Sequence, residues 1–192
     1  MTVTPALRRV LTDEDVRSIA RRYFVSNGFD GVLTGIGVVV GAYLSGVTDG
    51  ITVVKIGVGA AVGLSTSGVW SVWEIERAER RADRRRTEQA MLRDLEDTRI
   101  HRDERAARAV TATVSGFGPV VGTLVPVLPF LVVDGGLTPL VATVLAVAGG
   151  VALLFVFGAY MGSISGGNWY RSGFRMGVAG VVVALLNVVL PG

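Results

Sequence analysis

Asp30 is a lone carboxylate inside an otherwise uncharged, glycine-rich apolar run from Phe24 to Gly46. The run is long enough to cross a bilayer. A charge at the centre of a spanning helix costs roughly 2.5 to 3.5 kcal/mol, so an acid there is expected to face a cavity, a proton path or a cation. This points to transport before catalysis.

A second set of acids lies in the segment Glu74–Arg108, which carries ten acids and eleven arginines. With no Gly or Pro from Val69 through Ser115, the segment is expected to be largely helical, turning near Asp97 or Thr98. At ~100° per residue, Glu76, Glu79, Asp83, Asp94 and Asp97 fall within a sector of about 60°. Like charges at this spacing repel, so a cation would favour the arrangement, and carboxylates three or four apart can chelate a divalent metal. Met91 adds a soft ligand nearby. The competing reading is a solvated face held by pairs such as Glu76 with Arg80 and Asp83 with Arg86, with Met91 simply packed.

The elements that must position these groups are spanning helices. Half of the 192 residues are apolar and the mean hydropathy is +0.52, yet the charges are confined to a few blocks. Beyond Phe24–Gly46, apolar stretches run Ile51–Trp73, Ala109–Val133, Leu137–Met161 and Phe174–Leu190. The expected fold is an all-α integral membrane protein with about five transmembrane helices. Residues 1–22 form a cytoplasmic N-terminal segment, 23–192 the transmembrane domain, and 74–108 a cytoplasmic helical extension between the second and third spans. The basic residues, 18 Arg and Lys55, cluster before the first span, in Arg77–Arg108 and at Arg171 and Arg175. By the positive-inside rule the N-terminus is cytoplasmic and the C-terminus outside. Trp70, Trp73, Trp169 and Tyr170 fall where an interfacial belt belongs and read as anchors, not a cation cage.

Zero cysteines exclude a disulfide framework, a thiolate metal site and a Cys nucleophile. His101 is the only histidine, so neither a His cluster nor a Ser-His-Asp arrangement can be assembled, and no enzyme activity is expected. Arginines beside acids or at membrane edges are explained by topology and anionic lipid, so no nucleic-acid partner is expected despite a pI near 9.8. Gly31/Gly35, Gly37/Gly41 and Gly59/Gly63 are GxxxG pairs that allow close helix contact. Pro119, Pro126 and Pro129 in one span should kink or unwind it, either beside a substrate site or as a static packing kink.

The run Asn27-Gly28-Phe29-Asp30-Gly31-Val32-Leu33-Thr34 resembles the first-helix signature of the vacuolar iron transporter family. Gly122–Phe130, with Pro126 and Pro129, resembles its third-helix pattern, and Ser172–Gly180 the start of its last helix. The resemblance covers most of the chain from about Tyr23 and implies proton-coupled movement of ferrous iron, often manganese(II), out of the cytosol. It also implies a homodimer, with the path between or beside the first two helices. Asp30 matches the family's intramembrane acid, and Asp30, Asn27 and Thr34 form the candidate proton-coupling group. The family's cytoplasmic metal-gathering domain would fall on Glu74–Asp97, here as short as in compact prokaryotic members. Family members commonly carry Met in the second span, whereas this chain reads Leu64-Ser65-Thr66-Ser67-Gly68 there. That leaves Asp30, Asn27, Ser65, Thr66, Ser67 and Glu74 as oxygen ligands, with helix contact the competing role for the hydroxyls.

With the resemblance, the sequence therefore reads as a divalent-metal transporter of a prokaryotic plasma membrane, moving ferrous iron, manganese(II) or both out of the cytosol by proton antiport. Its candidate metal residues are Asp30, Glu74, Glu76, Glu79, Asp83 and Met91, and its pore-lining candidates Ser65, Thr66, Ser67 and Pro126. The expected partners are metal ions, protons, membrane lipid and a second copy of the chain, with no permanently bound cofactor. The alternatives are a non-transporting scaffold, in which Asp30 only hydrogen-bonds Asn27 or Thr34, and a proton-coupled exporter of organic cations.

Overall fold

The computed structural model describes residues 5–91 and 99–190. Their regular structure is entirely helical: α1 Pro5–Thr12, α2 Glu14–Leu44, α3 Gly50–Met91, α4 Arg99–Val127, α5 Pro139–Ile164 and α6 Trp169–Val189. Five of these helices are long and apolar enough to cross a membrane. The chain is an all-α integral membrane protein. The first span is longer than its apolar run, because α2 begins at Glu14 and carries Arg17, Arg21 and Arg22 in its first turns. The expected turn at Asp97 or Thr98 lies outside the described residues.

Helix ends in lipid must satisfy their own backbone groups. Asp13 accepts from the Asp15 N–H at 3.0 Å, Asp49 from the Thr52 N–H at 2.9 Å, and Asn168 from the Tyr170 N–H at 3.1 Å. The Thr52 N–H and hydroxyl hold the exposed Asp49 carboxyl below its usual range, the hydroxyl being the larger influence. Thr138 caps α5, followed by Pro139 in the first turn. In α4 the prolines differ: Pro119 and Pro126 are accommodated within one continuous helix, whereas around Pro129 the chain tightens into a 3-10 segment, Leu128–Gly135.

Lipid offers no hydrophobic drive for helix association, so close packing and interhelical hydrogen bonds must supply it. The α2 and α4 backbones approach closely along a run of glycines. A Cβ on Gly122 would lie 2.8 Å from Val32 N, and one on Gly31 2.7 Å from Pro119 Cα. Around this seam, Val32, Ile36, Phe130 and Leu154 are almost wholly buried. Of the three GxxxG pairs, Gly31/Gly35 lies at this contact, whereas Gly59 and Gly63 face open space.

A polar node ties α3 to the same seam. Pro119 has no N–H for the carbonyl of Ser115, four residues earlier, and Asn27 Nδ2 reaches that oxygen at 3.4 Å. The same amide donates to Ser115 Oγ at 2.7 Å, and Ser115 Oγ donates to Gly68 O on α3 at 2.9 Å. Thr123 Oγ1 donates to Gly31 O at 3.1 Å, a further bond between α2 and α4.

Two outcomes follow from this packing. Gly122→Leu forces α2 and α4 apart and should destabilise the detergent-solubilised protein by about 1–3 kcal/mol or more, whereas Gly149→Leu, at an open position, should not; thermal unfolding followed by circular dichroism separates them. Asn27→Ala should cost about 0.6–1.7 kcal/mol, the range of a membrane interhelical hydrogen bond. Asn27→Asp should cost more in the same assay, because it sets a carboxylate against two oxygens that need a donor.

Candidate functional site

Asp30 lies on the side of α2 turned away from the α4 seam. Gly28, Gly31 and Gly35 are buried, while Asp30 is exposed on the surface of the single chain. This corrects the expectation of an acid inside the bundle: the glycines require one face of α2 against α4, and Asp30, one residue before Gly31, is rotated ~100° from it. Among the described residues its carboxylate has no hydrogen bond or ion pair. Thr34 Oγ1 donates to the main-chain oxygen of Asp30 at 2.8 Å, not to its carboxylate. Asn27 is committed to Ser115, so the cross-helix bonds to Asp30 that the scaffold alternative requires are absent among the described residues.

The Ser-Thr-Ser run divides between two environments. Ser65 packs against α4, its Oγ 3.1 Å from where a Cβ on Gly116 would stand, while Thr66 and Ser67 are exposed. With Gly59, Val62 and Gly63, these two residues give α3 an uncovered face at membrane depth. Pro126 does not line a pore: its ring fills the space beside Gly35 and Gly150, joining α2, α4 and α5.

At the charged end the acids do not converge. Glu76 is 3% exposed and pairs with Arg80 at 3.2 Å, whereas Glu79 and Asp83 are exposed. The angular stripe is broken by depth, since neighbouring helices cover α3 at Glu76 and leave it open further on. Glu74 pairs with Arg77 at 3.3 Å and Asp83 with Arg86 at 3.7 Å. No group of three acidic or histidine residues that could hold a metal forms among the described residues. Met91 is the last residue of α3, and its side chain, like Asp94 and Asp97, lies outside the described residues.

The aromatic belt is partly engaged. Phe155, Trp169 and Tyr170 meet edge to face, with ring centroids 5.8–6.3 Å apart. Trp73 lies under the Arg108 guanidinium, 4.3 Å from the ring centroid, and so does hold a cation, one of the chain's own. Sequence reasoning missed Ser115 and Thr123 as the hydroxyls that tie the spans. The signal for Ser115 was present in Pro119, whose position four residues later leaves the Ser115 carbonyl in need of a donor.

The VIT family model matches residues 71–190, more than half of the chain. An uncharacterized protein of Methanocaldococcus jannaschii is 29% identical over 170 residues, covering 86% of this chain and 85% of its own length. No solved structure matches. With five spanning helices and this match over residues 71–190, the chain belongs to the VIT family, the vacuolar iron transporter family, as a compact prokaryotic-type member of a family of metal-ion transporters.

Proposed function

We propose that the protein moves ferrous iron, manganese(II) or both out of the cytosol in exchange for protons, with Asp30 alternating between proton and metal. The observation that carries this reading is a carboxylate at membrane depth that no neighbouring side chain satisfies among the described residues. Left against lipid, it would cost roughly 2.5 to 3.5 kcal/mol. A second copy of the chain, covering the exposed sides of α2 and α3, would remove that cost. It would also set two Asp30 carboxylates, with Thr66 and Ser67 hydroxyls, around one path. An oxygen donor set suits manganese(II) and ferrous iron, and an unpaired carboxylate can take a proton when the metal leaves. The reading needs no permanent cofactor and has no catalytic step.

In the proposed orientation the arginine-rich ends of α2, α3 and α4 face the cytoplasm and the C-terminus lies outside a prokaryotic plasma membrane. Glu79 and Asp83, both exposed there, would act by raising local cation concentration and not by chelation.

Liposomes carrying a metal-quenched dye give the direct test. Wild type should move manganese(II) and ferrous iron faster with an opposing proton gradient, and Asp30→Asn should lose about tenfold or more of that rate. Asp30→Asn flux at the wild-type rate contradicts the reading. Light scattering on the purified protein should give the mass of two chains, and Gly63→Leu, which fills the open face of α3, should shift it toward one. A monomer with full transport would remove the second copy from the account.

A further inference from the structure

Between the charged ends of α3 and α4 lies a cavity of about 510 Å³. Arg77, Arg80, Arg81 and Arg84 enter it from α3, and Arg105 and Arg108 from α4. The spacing on α3 puts its four arginines on one side of the helix, facing those of α4 across the gap. Among the described residues, Glu104 is the one acid that lines the cavity.

The arginines are unequally neutralised. Arg77 pairs with Glu74 at 3.3 Å, Arg80 with Glu76 at 3.2 Å and Arg84 with Glu88 at 3.5 Å. Arg81, Arg105 and Arg108 have no acid partner among the described residues. Arg77, Arg81 and Arg105 line the same cavity as Arg108, so its surroundings are mainly of like charge. Its Nε is buried with no hydrogen-bond partner, although the guanidinium is held in place over Trp73. A guanidinium held in place over Trp73, lining a cavity of mainly like charge, is a group prepared for an oxyanion.

We propose that this cavity binds a phosphate-bearing anion. Planar guanidinium forks arriving from two helices suit tetrahedral oxyanions, which accept several donors at once, better than a single-point ion such as chloride. Arg81, Arg105 and Arg108 outnumber the Glu104 carboxylate, so the cavity keeps a net positive charge that attracts such an anion. Trp73 lines the cavity and the exposed Trp70 lies one turn earlier, so an inner-leaflet phospholipid headgroup and a free phosphate compound both have access. When filled, the cavity would clamp α3 to α4 and remove a positive field from the end at which cations are proposed to enter. The site does not depend on the transport reading.

The test uses the whole protein at constant ionic strength, with inorganic pyrophosphate in neutral detergent as one arm. The other arm uses phosphatidylcholine nanodiscs with and without phosphatidylglycerol. We expect a saturable rise in melting temperature, with half-saturation shifted about tenfold or more in Arg105→Gln/Arg108→Gln and unchanged in Arg171→Gln. Arg81→Gln, at an exposed position and harmless to folding, should shift it in the same direction even if the double variant is unstable. A response to pyrophosphate assigns a free anion, and a response to phosphatidylglycerol alone assigns the headgroup. No saturable response in either arm, or the same response in wild type and Arg81→Gln, overturns the proposal.

Discussion

The approach of α2 to α4 through glycine constrains everything else in the bundle. Where Gly122 meets Val32 N and Gly31 meets Pro119, the two backbones are too close for any side chain to intervene. Such contact gives dispersion and short interhelical hydrogen bonds, which are what holds helices together in lipid. It also dictates direction. With the glycine face of α2 committed to α4, Asp30 must point away from the bundle, and the proline-freed carbonyl of Ser115 falls within reach of Asn27. Ser115 then passes the connection to Gly68, fixing α3 against the same pair.

That geometry separates two kinds of polar group within one short motif. Asn27 and Asp30 are three residues apart, yet Asn27 serves packing and Asp30 is left without a partner among the described residues. A residue that no internal bond explains, at a depth where charge is expensive, is where function is most economically sought. The same contrast appears on α3, where Ser65 packs inward and Thr66 and Ser67 are exposed. The exposed members of both helices are those on which the proposed transport path rests.

Long apolar runs made the five spans legible in sequence, because length and hydropathy alone decide whether a helix can cross a bilayer. The break at Pro129 was legible from proline chemistry. The facing of Asp30 was not, since it depends on which of several glycine stripes finds a partner, and a chain with 26 glycines offers many. Gly31/Gly35 and Gly59/Gly63 look alike on a helical wheel, and only the first is met by another helix. The acidic stripe was misjudged for a related reason: angle was readable, depth was not, and Glu76 lies under neighbours that Glu79 lacks. The arginine cavity arises only when α3 and α4 are set side by side, a pairing that no local pattern encodes.

The most direct measurement uses the absence of cysteine from the chain, which makes any introduced thiol unique. Thr34→Cys, one turn from Asp30 near the middle of the first span, should react in proteoliposomes with a water-soluble, membrane-impermeant thiol reagent and be protected by manganese(II). Ala152→Cys, exposed at the corresponding depth on α5, should not react. If both thiols are inert, the Asp30 face looks onto lipid and the transport account is wrong.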